Sequence, residues 1–184
     1  GSTQYRGAFF VRTDSPYKKL EDVKGKRVAF TDSASTSGYL YPNALIKSRG
    51  LDPKNFFSDV IFAGGHDKSL IALYKGEVDV AAAFETAREE RVKQTLPDIL
   101  EKTRVLEYTD WIPNDNVAVG KHVPKDVVEK LKAALMKVTS TPEGSAALVK
   151  AIGTEKLLPI EDKAYDPIRV AAQALDIDLS SKVK

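Results

Sequence analysis

Between Gly7 and Gly120 short β-rich apolar runs alternate with stretches of helical periodicity, and nothing else in the chain constrains its fold as tightly. Residues 7–12 (GAFFVR), 27–31 (RVAFT), 59–63 (DVIFA) and 78–84 (VDVAAAF) read as strands, with 105–108 and 116–119 as further strand candidates. The run 78–84 is almost uniformly apolar, as expected of a strand covered on both faces. Helical patterns fill the intervals. One is short and passes through Leu20 and Val23; one carries Leu40, Ala44 and Leu45 and stops at Arg49-Gly50. Another carries Leu70, Ile71, Leu73 and Tyr74 and ends at Gly76, and a charged one spans 86–94. Strands separated by helices predict an α/β fold with a mostly parallel, doubly wound sheet flanked by helices. Such sheets bind ligands at the carboxyl ends of their strands, so chemistry is expected just after Thr31, Ala63 and Phe84.

After Gly120 the pattern changes. Residues 124–138 form an amphipathic repeat (Val127, Val128, Leu131, Leu135, Val138), 142–150 a second and 167–175 a third. The expected organisation is an α/β ligand-binding lobe over 5–120 and a C-terminal helical tail over 121–184, with no internal repeat.

Composition excludes several function classes. The 28 basic and 26 acidic side chains are interleaved and leave a net charge of +2, so no nucleic-acid footprint is indicated. There is no cysteine, and His66 and His122 are the only histidines and lie in different contexts. Neither a metal site nor a thiol nucleophile is expected, nor any cofactor. No apolar run approaches the roughly 18 residues of a membrane span, and no signal peptide opens the chain. Gly1-Ser2 matches the remnant of a removed purification tag, so the natural N-terminus is expected upstream.

Three constellations could carry chemistry. Asp32-Ser33-Ala34-Ser35-Thr36-Ser37-Gly38 lies between a strand and a helix and sets hydroxyls and free amides at a helix's positive end. A tetrahedral oxyanion needs such convergent donors and requires no Lys or Arg; the plainer alternative is a helix N-cap in a polar turn. Gly64-Gly65-His66-Asp67 repeats the arrangement one junction later, where His66 is either an anion donor or a solvated neighbour of a capping Asp67. Glu85 and Asp115 are carboxylates that either hold an ammonium or protonated oxyanion, or are surface and turn charge. Ser37, His66 and Asp115 lack the G-x-S-x-G context of a nucleophile elbow, and the phosphate-loop pattern is absent, so the chain is not read as an enzyme.

Taken together, these segments resemble the phosphonate-binding (PhnD-like) family of ABC-transporter solute-binding proteins. The resemblance rests on Tyr5-Arg6-Gly7, Asp14-Ser15, the LEDVKGK run 20–26, STSGYLYP at 35–42, GHDKS at 65–69, GEVDVA at 76–81 and IPND at 112–115. It covers Tyr5 to about Val119, and the STSGYLYP and GHDKS blocks are specific as a pair. It implies one lobe of a type-II periplasmic binding fold, with Ser35, Thr36, Ser37 and His66 on phosphorus-bound oxygens. Tyr5 would be a hinge-side aromatic, and Glu85 and Asp115 would hold the amine of an aminoalkylphosphonate.

The partners implied are a phosphonate, phosphite or phosphate ligand and an ABC permease, in the periplasm or, membrane-anchored, outside a Gram-positive cell. Family members carry a further N-terminal segment that builds most of the first lobe, so this chain is expected to keep the anion cradle and to bind weakly without the opposing wall. The tail helices, which in the family return to that lobe, are expected to fold onto the remaining one or to form a homodimer. A ligand sensor or an enzyme on the same bilobal fold is the alternative function.

Overall fold

A computed structural model describes residues 2–178 of the chain. Five strands, β1 (Gln4–Arg12), β2 (Arg27–Phe30), β3 (Asp59–Phe62), β4 (Val80–Phe84) and β5 (Thr103–Pro113), form one sheet in the order β3-β2-β4-β1-β5. β2 pairs in parallel with β3 and β4, and β1 is antiparallel to both β4 and β5. Four strands therefore run one way and β1 runs against them, which keeps the sheet mostly parallel in direction while making it mixed in its pairing. Residues 13–26, which include a short helical turn at Leu20–Val23, connect β1 to β2, and β4 lies between the two strands in the sheet. The consequence of the reversal is positional. Gly7 faces Phe84 across the β1–β4 ladder, so the start of β1 lies beside the end of β4, on the carboxyl edge of the parallel strands.

Alternation along the central strands divides the core between the two faces. Ala8, Phe10, Ala29, Ala81 and Ala83 point to one side, where they meet Leu70 and Leu73. Phe9, Val11, Val28, Phe30, Val80 and Ala82 point to the other, against Leu20, Ile46, Phe56 and Phe57. The helices α1 (Tyr41–Ser48), α2 (His66–Tyr74) and α3 (Ile99–Lys102) follow β2, β3 and β4 in turn. In place of the charged helix expected over 86–94 there is a single π-helical turn, Arg88–Val92, with only Val92 buried.

Compactness divides the chain into two units. One comprises Gln4–Pro113 together with the segment from Tyr165 onward; the other is Asn114–Ala164 with the residues before Gln4. The second unit contains α4 (Lys125–Val138) and α5 (Pro142–Ile152), neither with a buried residue. Thr141 caps α5 by accepting from the Gly144 amide at 3.1 Å, and Gly153 closes it in the left-handed conformation at φ 70°. The first unit is completed by α6 (Asp166–Ala174), whose Ala171 and Ala172 are buried with Leu40, Tyr41 and Ile112. Residues 179–184 of the expected tail lie outside the described residues.

The strand expected at 116–119 is not formed: residues 114–120 are irregular and Val117 and Val119 are exposed. β5 instead extends well beyond 105–108 in both directions, because β1 pairs with it from Arg12↔Thr103 to Gln4↔Pro113. Beyond Pro113 that partner strand has ended. Among the described residues no helix is long and apolar enough to cross a membrane.

Ala81, Ala82 and Ala83 are all fully buried at the centre of the sheet. Enlarging one of them forces a close-packed layer apart, so Ala82→Leu is expected to destabilise the protein by about 1–3 kcal/mol. The check is the denaturation midpoint at constant m-value; an unchanged midpoint would show spare room that the packing does not show.

Candidate functional site

Two helix starts rise from adjacent strands at the carboxyl edge of the sheet. After β2, the chain enters a π-helical turn at Thr36–Leu40 that runs directly into α1. Asp32 shapes the approach, its carboxylate accepting from the Ala34 amide at 2.8 Å and its carbonyl from Ser35 N at 3.2 Å. Ser35 is the cap, and its hydroxyl accepts from Gly38 N at 3.0 Å. The first amides of a helix have no intrahelical acceptor. With Gly38 satisfied by Ser35, the amides of Thr36 and Ser37 remain at the positive end of the helix. Ser35 is therefore an N-cap, the plainer of the two sequence readings, and the amides of Thr36 and Ser37 lie beside it at the start of the turn.

The second start follows β3. Gly64 N donates to Thr31 O at 2.7 Å, and Gly64 adopts φ +81°, which a side chain would disfavour. His66 is the first residue of α2. One turn later the buried Ser69 hydroxyl lies 2.8 Å from Ala29 O and 3.1 Å from Ala82 O, holding α2 against both β2 and β4. His66 is thereby brought to the end of β4. Its Nδ1 accepts from Phe84 N at 3.3 Å and its ring meets that of Phe84 edge-on at 4.8 Å. With Nδ1 occupied as an acceptor, the neutral ring carries its proton on Nε2, leaving that N–H as a donor. Desolvation lowers the His66 pKa, reinforced by the Arg91 charge and opposed by Asp32 and Asp67. The imidazole is therefore held neutral. Asp67, a capping residue in the plainer sequence reading, makes no such bond: the N-cap of α2 is Gly65, without a side-chain cap.

Tyr5 is half-buried near the start of β1, against the cluster of Leu40, Tyr41, Ile112, Ala171 and Ala172. Tyr41 is almost fully buried and its phenol pKa is pushed up to about 12, chiefly by desolvation. Glu85 follows β4 and is committed to Arg6. Its Oε1 accepts from Arg6 N at 3.1 Å, and its Oε2 accepts from the guanidinium at 3.1 and 2.9 Å. The same guanidinium stacks 4.0 Å from the centre of the Tyr108 ring and 4.5 Å from that of Trp111. Asp115 is exposed and belongs to the unit of α4 and α5. Among the described residues no group of three metal-ligating side chains occurs.

Sequence reasoning missed Arg6 as the partner of Glu85, and Thr31. Thr31 is fully buried beneath the Thr36–Leu40 turn, and its hydroxyl has no hydrogen-bond partner among the described residues. No local pattern marks either one: Arg6 meets a residue 79 positions later, and the fit of Thr31 beside Gly38 depends on how the turn folds back onto the end of β2.

Residues 1–165 match the family described as ABC transporter, phosphonate, periplasmic substrate-binding protein. The chain belongs to that family. Among curated relatives, the phosphate-import protein PhnD of Mycolicibacterium smegmatis is 28% identical over 100% of this chain and 61% of its own length. The phosphonates-binding periplasmic protein of Escherichia coli is also 28% identical, over 94% of this chain and 51% of its own length. The chain thus spans between half and two thirds of these relatives. Among solved structures, a binding-protein component of an ABC phosphonate transporter from Pseudomonas aeruginosa superposes with a TM-score of 0.77. It is 24% identical and is matched over 93% of this chain and 57% of its own. This likeness shows the periplasmic binding-protein fold.

The lowered His66 pKa makes a directional prediction for stability. Below the usual histidine value of about 6.5 the unfolded chain takes up the proton first. Stability is therefore complete above that pH and falls as pH drops toward the folded-state pKa. His66→Gln should flatten this part of the stability–pH curve between pH 7 and 5. A variant whose slope matches the parent would show that His66 contributes none of it.

Proposed function

We propose that the chain is the anion-holding part of a solute-binding component of an ABC importer, taking a small phosphorus oxyanion such as a phosphonate, phosphite or phosphate. The observation that carries this reading is the pairing of two neutral donor sets on one sheet edge. The open amides of Thr36 and Ser37 form one, with the hydroxyls of that turn, and His66 Nε2–H forms the other. Oxyanions are well served by fixed dipoles at helix starts, which require no mobile counter-charge. Ser35, Thr36, Ser37 and His66 are assigned to the ligand oxygens, and Tyr5 to the rim at the start of β1. The work of such a component is to hold solute for an ABC permease, in the periplasm or at the outer cell surface, without chemical change. The names of the two curated relatives, one for phosphate and one for phosphonates, support the ligand class and do not decide within it.

Glu85 enters this reading as the partner of Arg6. Three hydrogen bonds from one residue occupy its carboxylate, so releasing it toward a ligand ammonium would strand the guanidinium. The cradle of this unit accordingly suits oxyanions that carry no amine.

Calorimetric titration of the intact natural protein with phosphate, phosphite, methylphosphonate and 2-aminoethylphosphonate tests both statements. Saturable heat with at least one of them, reduced roughly ten-fold or more in Thr36→Ala and His66→Ala by loss of charge-assisted hydrogen bonds, is the expected result. Full affinity in both variants would remove the cradle from the binding site. Glu85→Gln should leave the affinity ratio of 2-aminoethylphosphonate to methylphosphonate unchanged. A ratio that falls in this variant would place the ammonium on Glu85. Titrating the 184-residue chain alongside measures what this portion binds by itself; micromolar or tighter affinity would contradict the expectation that it binds weakly.

A further inference from the structure

We propose that Gly7 and Gly38 are positioning residues for the anion cradle. They seat the Thr36–Gly38 turn on the sheet at a separation no side chain allows, and so fix the direction of the Thr36 and Ser37 amides. The inference rests on reading that turn as the anion site.

Neither glycine is needed for its backbone conformation, since neither is among the residues with positive φ. Space is what they supply. A Cβ on Gly38 would lie 2.1 Å from Thr31 Oγ1 and 2.5 Å from Thr31 Cγ2. A Cβ on Gly7 would lie 2.5 Å from the carbonyl oxygen of Ser37. The turn thus touches the end of β2 through Gly38 and the start of β1 through Gly7, and both contacts are below any ordinary carbon separation.

The local hydrogen bonding is arranged around these two approaches. Gly38 N donates to the capping Ser35 hydroxyl, and Thr31 N lies 3.4 Å from Gly38 O. Thr31 fills the volume beside Gly38 although its own hydroxyl finds no partner among the described residues, a cost the fold accepts at this one place under the turn. On the other side, the β1–β5 register slips between Arg6↔Trp111 and Ala8↔Tyr108, so that Thr109 and Asp110 together oppose Gly7. Gly7 N donates to the buried Thr109 Oγ1 at 2.9 Å. A β-bulge here redirects the strand locally just where Ser37 lies on it. Two independent irregularities, an orphaned hydroxyl and a bulge, converge on one three-residue turn.

The test is a set of variants of the intact protein: Gly38→Ala, Gly7→Ala, Thr31→Gly and the double Gly38→Ala/Thr31→Gly. Each is measured by titration with methylphosphonate and phosphate, by melting temperature, and by amide chemical shifts of Thr36 and Ser37 without ligand. Gly38→Ala should weaken binding by roughly ten-fold or more, with displaced Thr36 and Ser37 shifts. Adding Thr31→Gly should recover most of that affinity, because it removes every Thr31 atom the new methyl meets. Gly7→Ala should weaken binding comparably without involving Thr31. Native affinity in Gly38→Ala and Gly7→Ala would overturn the proposal. So would a loss in Gly38→Ala that the double variant leaves in place while melting no lower than Thr31→Gly. If the parent protein binds none of these oxyanions, the anion reading itself fails. The seat is then judged by the shifts alone, and unchanged Thr36 and Ser37 amides in both glycine variants would sink it too.

Discussion

Three consecutive alanines in β4 set the spacing of everything around them. Because Ala81 and Ala83 are small, α2 approaches the sheet closely enough for a serine hydroxyl to reach backbone carbonyls of two strands. That contact in turn fixes the start of α2, where His66 meets the last residue of β4. On the opposite face Ala82 shares its layer with Phe9 and Phe30, so the large side chains come from neighbouring strands and β4 itself stays thin. A bulkier β4 would lift α2 and carry His66 away from Phe84 before it touched any ligand group.

The charges at the carboxyl edge are largely settled within the protein. Glu85 and Arg6 neutralise each other, with two guanidinium nitrogens donating to Oε2, and Tyr108 and Trp111 half shield the pair. Asp32 is tied into the turn that precedes the cap, and His66 is held uncharged. Under the proposed reading, an anion at this edge would meet oriented dipoles, with the Arg91 charge acting on His66 nearby. Discrimination by such a set depends on where the donors point more than on net charge, so in the proposed cradle the seating of one short turn would govern it.

Much of this was legible in the residues. The apolar run at 78–84 and the alternating GAFFVR and RVAFT segments are buried strands, and the polar junctions after Thr31 and Ala63 are helix starts, because periodicity and capping chemistry are local. Pairing across distant segments is not local. Nothing in GAFFVR shows that β1 runs against β4, and the alternating Val117 and Val119 look like a strand until the partner is seen to end at Gln4. The carboxylate of Glu85 was legible by position, yet its employment depends on Arg6, seventy-nine residues earlier. Gly7 and Gly38 read as ordinary turn or strand glycines, since the volume they leave free is filled by Thr31 and Ser37, which only the folded chain brings alongside. The third amphipathic segment of the tail was visible as a helix, but its membership in the sheet unit rests on two small residues, Ala171 and Ala172, facing Leu40 and Tyr41.

Trp111 is the only tryptophan in the chain and lies half-exposed against the Arg6 guanidinium, which is itself clamped by Glu85. Indole emission responds to both solvent access and a neighbouring cation. The molecule therefore carries a built-in optical probe on the strand that pairs with β1, close to the bulge on which the Ser37 turn rests. Any displacement of Arg6 or of the β1–β5 ladder registers as a change in colour or intensity, with no label attached.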